Sequence, residues 1–117
     1  MANNSIRAIF EPLRTVAGTA ITGSSYIGIG SPLANPCHLS LIQNLTDQLL
    51  LFSIDGVNDH FALPAGGFFL PDITANRTDT GGALFIAQGT RFYVRAPATD
   101  PTTGAVYVTT VFGFQND

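Results

Sequence analysis

Short apolar runs, rich in β-branched and aromatic side chains, are separated by turn residues along most of the chain. In the run 105–114, Val106 and Val108 fall on one face of a strand and Tyr107 and Thr109 on the other, because successive strand residues point to opposite sides. No comparable window has the i, i+3, i+4, i+7 apolar spacing of a helix. The pattern predicts strands at 37–43, 49–54, 68–74, 84–87, 91–95 and 105–114, with a short one at 61–63.

Turn residues set the connections between these strands. The 12 Gly and 7 Pro residues recur at short intervals. Because proline cannot donate to a ladder, the strand 68–74 is either an edge strand or broken at Pro71. Connections this short favour antiparallel neighbours, since parallel strands need long crossovers. The sequence therefore predicts a single all-β domain over 1–117, an antiparallel β-sandwich or small barrel of about seven to eight strands.

The first 36 residues differ from the rest of the chain. Ile6, Ala8 and Phe10 share one strand face before Pro12, and the stretch 19–30 alternates more weakly around small residues. Two interpretations stay open for this region. It supplies edge strands of the same domain, or it forms an extended N-terminal arm that pairs with a neighbouring subunit by strand addition.

Composition and charge exclude several classes of partner. Hydrophobic residues make up 45% of the chain and charged residues only 11%, against roughly 25% in typical soluble domains. The net charge is −3, there is no Lys, and all 5 cations are Arg, so no basic stripe predicts nucleic-acid binding. The longest uninterrupted apolar run, 83–87, is far shorter than the roughly 20 residues of a membrane span. We expect neither nucleic acid nor a membrane as partner.

The polar loop SIDGVNDHFALPAGG, residues 53–67, is the best candidate for chemistry. It lacks the ligand spacing of a calcium loop, and His38 and His60 lie too far apart in sequence to form a local metal clamp. Ser53 and Asp55 fall on the same strand face, and no strand-to-helix elbow exposes a nucleophile near His60. We predict a structural hairpin with no cofactor and no metal, and hence no enzyme.

Two further residues exclude other chemistry. Glu11 is the only Glu, which argues against a pair of catalytic carboxylates, because most Asp residues lie in or beside predicted turns. Cys37 is the only Cys, which excludes an internal disulfide and a multi-thiolate zinc site.

Consecutive aromatic residues indicate an interface. Phe68 and Phe69 must point to opposite faces of a strand, and Phe92 and Tyr93 repeat this arrangement. A two-sheet sandwich has only one inner layer, so outward aromatic residues meet water or another chain. The predicted interface residues are Phe68, Phe69, Phe92, Tyr93, Phe112 and Phe114.

Three segments carry a resemblance to a known group of proteins: NLTDQLLLFSIDGVNDHFALPAGGFFLPDITAN, GGALFIAQGTRFYVRAP and TGAVYVTTVFGF. Together they resemble the small structural proteins of tailed-bacteriophage virions over roughly residues 35–114. The N-terminal region departs most from that pattern. The matching positions are Asn44, Thr46, Asp47, Ser53, Asp55, Gly56, Leu63 to Gly67, Asp72, Asn76, Gly89, Thr90, Tyr93, Val94 and Val106 to Thr109.

All of the matching positions are turn or strand positions, so the resemblance implies a structural component. It places the protein, made in the host cytoplasm, in the virion at the head-tail junction, the tail or the capsid surface. The outward aromatic residues, independently of the resemblance, predict a homo-oligomer. Its partners would be other copies of itself, a portal or tail protein, or the major capsid protein. Two alternatives stay open: a carbohydrate- or receptor-binding β-sandwich of the virion, and a small hydrolase that depends on His60.

Overall fold

Antiparallel strands are the main regular secondary structure of the described chain. The computed structural model describes residues 6–71 and 86–115, with side chains placed at 8–71 and 86–113. A 3-10 turn, Gly18–Ala20, follows the second strand. The nine strands within these residues are β1 (Ile6–Phe10), β2 (Arg14–Ala17), β3 (Ile27–Ile29), β4 (Leu39–Asn44), β5 (Leu50–Ser53), β6 (Phe61–Leu63), β7 (Phe68–Phe69), β8 (Phe92–Arg95) and β9 (Ala105–Gln115).

The strands form two antiparallel sheets that pack face to face. The five-stranded sheet has the order β1-β9-β4-β7, and β2 also pairs with β9 beyond the end of β1. The four-stranded sheet has the order β3-β8-β5-β6. The prediction of an all-β antiparallel sandwich is therefore confirmed.

Most predicted strands lie within a few residues of the observed ones. β4, β5, β6, β8 and β9 match their predictions closely, because alternation and flanking turns define them locally. Only two residues of the predicted strand 68–74 are strand, as β7, and the part from 72 onward lies outside the described residues. The predicted strand 84–87 also lies partly outside them, and Ile86 forms a single bridge with Cys37.

The N-terminal region supplies edge strands of the same domain. β1 pairs with β9 from Ile6↔Gln115 to Phe10↔Val111, and β2 pairs with β9 from Arg14↔Val108 onward. The interpretation as an extended arm is therefore wrong for residues 6–17. Three residues, 11–13, stand opposite two of β9, which is the geometry of a bulge at a sheet edge. Pro12 fits there because an edge residue needs no outward N–H.

The core lies between the sheets and is made by every second residue of the central strands. Ile42, Phe52, Val94 and Val108 are fully buried. Phe52 stacks on Phe61 at 5.1 Å between ring centroids. Apolar side chains on the two inner faces thus bury the surface that drives folding.

Asn44, at the end of β4, links the two sheets through its side-chain amide. It is completely buried, and its Nδ2 donates to the carbonyl oxygens of Gln48, Leu63 and Pro64 at 2.9, 3.0 and 3.1 Å. Its Oδ1 accepts from the Thr46 hydroxyl at 2.6 Å. A buried amide satisfied on both sides holds the turns that connect one sheet to the other.

Gly104 precedes β9 at a position that only glycine fits. Its φ is +81°, and a Cβ there would collide with the carbonyl oxygen of Leu45. The loop before β9 therefore packs directly on the backbone after β4.

Candidate assembly surface

The loop after β5 is a hydrogen-bonded turn built around Asp55. One carboxylate oxygen, Oδ1, accepts from the Ser53 hydroxyl at 2.8 Å, from Val57 N at 2.8 Å and from Asn58 N at 2.9 Å. The other oxygen accepts from the Asn58 amide at 2.9 Å. The backbone bonds from Asn58 and Val57 hold the pKa of Asp55 far below its usual range. The carboxylate is engaged on both oxygens by its own turn.

His60 belongs to the same turn. Its Nδ1 accepts from Ile54 N at 3.1 Å, whereas a triad histidine donates from Nδ1 to its carboxylate. The Ser53 hydroxyl donates to Asp55 instead of His60. These bonds are those of a structural hairpin tip. Over the described ranges, no three His, Cys, Asp or Glu side chains are grouped as metal ligands.

A buried ion pair lies behind the bulge between β1 and β2. Arg14 donates from Nη2 to Glu11 Oε1 at 2.7 Å, and both side chains are almost fully buried. Burial by itself raises the pKa of Glu11, but hydrogen bonds from Asn35, Arg14 and the Ala34 amide outweigh burial and lower it. Arg14 also donates to the Thr110 hydroxyl at 2.9 Å. The network ties the sheet edge to the loop at 31–35 and is structural.

The outer face of the four-stranded sheet carries arginine side chains that are paired with neighbouring tyrosine and aspartate side chains. Tyr93 and Arg95 alternate on β8, and Arg91 directly precedes the strand, with its guanidinium 5.7 Å from the Tyr93 ring centroid. Arg95 lies 5.6 Å from the Tyr26 ring centroid and donates to Asp59 at 2.9 Å. The bond from Arg95 lowers the pKa of Asp59. This is the usual composition of a sheet face in water.

The outer face of the five-stranded sheet carries no charge at any strand position whose side chain is described. Burial in β4 alternates strictly, which places Ser40, Ile42 and Asn44 inward. Strand register then assigns the remaining outward positions. We call these positions the uncharged face: Ala8, Phe10, Thr15, Ala17, Leu39, Leu41, Gln43, Phe68, Ala105, Tyr107, Thr109, Val111 and Gly113.

Two rows of side chains cross the uncharged face. Tyr107 lies between Thr15 and Gln43, and Phe68 lies beyond Gln43 at the far edge. Further along β9, toward its C-terminal end, Val111 lies between Phe10 and Leu39.

Large apolar side chains stand at both edges of the uncharged face. Phe10 is 68% exposed on β1 and Phe68 is 66% exposed on β7. Val111, between them, is nearly buried although it is outside the core cluster. In an ordinary antiparallel sandwich the outward positions are polar and include charges. This face has the composition of a surface that meets protein.

The predicted interface residues are distributed over the whole fold. Phe68 lies on the uncharged face, and Phe69 points inward at the sheet edge, where its ring centroid is 4.9 Å from that of Phe61. Phe92 is 2% exposed and belongs to the core, so its prediction as an interface residue is wrong. The other three predicted residues do not lie beside Phe68 on the uncharged face. Tyr93 is on the four-stranded sheet, Phe112 packs partly against the core, and the Phe114 side chain lies outside the described residues.

Sequence reasoning missed most of the uncharged face. Phe10, Leu39 and Leu41 were not among the predicted interface residues, although alternation in their strands places them on one side. The available signal was that neither β4 nor β9 contains a charged residue at any position.

Comparison with models of protein families, with curated proteins and with solved structures finds no match. Within the described ranges, none of the helical segments has the length and apolar character needed to cross a membrane.

Proposed function

We propose that the chain is a non-enzymatic structural protein of a bacteriophage virion that assembles in many copies through its uncharged face. The virion assignment rests on the sequence pattern in segments 44–76, 81–97 and 103–114. The assembly assignment is carried by one observation: an outer sheet face without charge at its described strand positions, with Phe10 and Phe68 exposed at its edges. Its partners are further copies and other virion proteins, such as the portal, tail or major capsid protein, with a preference for the neck or tail.

The energetic argument is the hydrophobic effect. Burying a phenyl side chain contributes about 1.5 to 3 kcal/mol, and a half-exposed leucine contributes less. No charge on this face has to be dehydrated when a partner covers it, so little of that gain is lost. Many identical weak contacts then hold an assembly together, as a virion component requires.

Light scattering on the purified chain tests the assembly assignment. We expect a mass that is a multiple of the 12.4 kDa monomer. Phe68→Arg places a charge on the uncharged face and should yield monomers. The matched control is Val57→Arg, because Val57 is 78% exposed in the loop of the four-stranded sheet. A monomeric wild-type chain at every concentration, or equal dissociation by both variants, would overturn the assignment.

Mass spectrometry of gradient-purified phage particles tests the virion assignment separately. We expect the chain at a fixed ratio to the major capsid protein, and its absence from the particles would remove the assignment.

The alternative of a carbohydrate- or receptor-binding module is favoured only by the two arginine-tyrosine pairs on the four-stranded sheet. Glycan-array binding that is lost on Tyr93→Ala and kept on Phe68→Arg would support that alternative.

A further inference from the structure

We propose that the occupant of the uncharged face is the same face of a second copy, related by a two-fold axis that places Phe10 of each copy beside Phe68 of the partner subunit. This inference rests on the proposed function and names the partner for it.

Charge favours a second copy over an unrelated charged surface. The chain carries a net charge of −3, so two copies repel unless their contact keeps charges apart. The described acidic groups that reach solvent are loop residues, Asp47, Asp55, Asp59 and Asp100, and Glu11 is paired in the interior. A charged partner would lose water here without gaining an opposite charge. An uncharged partner surface is required, and this face is one.

The area is sufficient for a specific contact. Four adjacent strands about 4.8 Å apart, and roughly 27 Å of β9 between Ala105 and Gly113, outline about 500 Å² of face. Two copies together bury about 1,000 Å², which reaches the lower limit for a biological interface. The exposed Phe10 and Phe68 lie inside that outline and contribute apolar area to the contact.

The positions of the two phenyl rings suit a two-fold contact. Phe10 is on β1 at one edge of the sheet, and Phe68 is on β7 at the opposite edge. A two-fold axis in the contact plane, midway between them, exchanges the two edges. Each copy then contributes both members of two equivalent aromatic contacts, as an isologous interface demands.

Site-specific crosslinking tests this arrangement. The single native thiol, Cys37, is 0% exposed and does not compete for the reagent. We make Phe10→Cys and Phe68→Cys separately, mix them, and add a bismaleimide about as long as the ~10 Å between packed sheets. We expect a covalent dimer in the mixture and none with either variant alone. Both sites are exposed, and circular dichroism checks that each variant keeps the fold.

The variant that carries both substitutions distinguishes two-fold closure from head-to-tail packing. A two-fold contact gives a closed covalent dimer and no larger product. A ladder of higher masses would show head-to-tail packing and overturn the two-fold contact. Val57→Cys mixed with Phe10→Cys is the control, and a dimer there as abundant as with Phe68→Cys would overturn it too.

The remaining outcomes separate this inference from the proposed function. Oligomers in light scattering without the 10-to-68 crosslink would overturn the inference and leave the assembly assignment standing. A chain that neither crosslinks nor oligomerises would overturn both.

Discussion

The two sheets bury their inner faces in the same way and differ on their outer faces. On β8 the outward residues are Tyr93 and Arg95, with Arg91 directly before the strand, and on β9 they include Tyr107 and Thr109. Folding the sandwich uses only the inward half of each strand, so it does not determine this difference. The outward half records what each strand meets outside the domain: water for the four-stranded sheet and, on our proposal, protein for the five-stranded one.

The contrast is clearest within β2, where the charged residue points into the protein and its uncharged neighbour points outward. Arg14 points inward and is 5% exposed, whereas its neighbour Thr15 lies on the uncharged face. The buried guanidinium is satisfied by Glu11, by Thr110 and by the carbonyl oxygens of Ser31 and Pro32. At this edge, the chain carries its charge inside in a satisfied network and leaves the outside free of it.

The largest expected effect separates an inward phenyl from an outward one. Phe52→Ala removes a fully buried ring and should cost about 3 to 5 kcal/mol of unfolding free energy, because it leaves a cavity in the core. Phe68→Ala should change the unfolding free energy of the monomer by less than about 0.5 kcal/mol. Urea denaturation measures both. Similar losses for the two variants would contradict the assignment of faces.

The next effect compares the two sides of β2. Arg14→Met leaves Glu11 buried without its cation, and we expect a loss of about 3 kcal/mol in thermal or urea unfolding. Thr15→Met should leave the monomer stability nearly unchanged and strengthen self-association, because it adds apolar area to the uncharged face. A harmless Arg14→Met would show that the buried pair is dispensable.

A smaller effect concerns pH and the charged face. The pKa of Asp59 is lowered by its bond with Arg95, and that of Asp55 by its own turn. A lowered folded-state pKa contributes stability above the unfolded value near 3.9, and that stability is lost as pH falls below it. We expect stability to decline below about pH 4, less steeply in Asp59→Asn. Acid titration followed by circular dichroism measures this. The same decline of stability with pH in Asp59→Asn and in the wild type would show that the ion pair of Asp59 with Arg95 does not contribute to stability.

The smallest expected effect is that of salt on self-association. Raising NaCl from about 0.1 M to about 1 M screens charge pairs but does not weaken apolar contacts. The dissociation constant of the assembly, measured by sedimentation, should stay constant or fall. A large rise would place charged groups in the contact and contradict the uncharged face as its site.

Local alternation was enough to predict β4, β5, β6, β8 and β9, but it does not say which side of each strand is inward. Phe68 and Phe69 were correctly placed on opposite faces from sequence. For Phe92 and Tyr93 the same rule applies, yet both are aromatic, and only the pairing of Phe92 with Ile29 decides that Phe92 is the buried one.

The buried Arg14 was not predicted because its partners are distant in sequence. Its bond to Thr110 spans 96 residues, and no local pattern distinguishes such an arginine from a surface one. Phe10 was missed as part of an interface because its neighbours, Val111 and Leu39, come together only through β9.

Hydroxyl-radical footprinting at low and high protein concentration tests the central claim most directly, because it reads both outer faces in one experiment. The account predicts that oxidation of Phe10, Phe68 and Tyr107 falls as concentration rises, while oxidation of Val57 and Tyr93 stays constant. Equal oxidation of both faces at every concentration would contradict it.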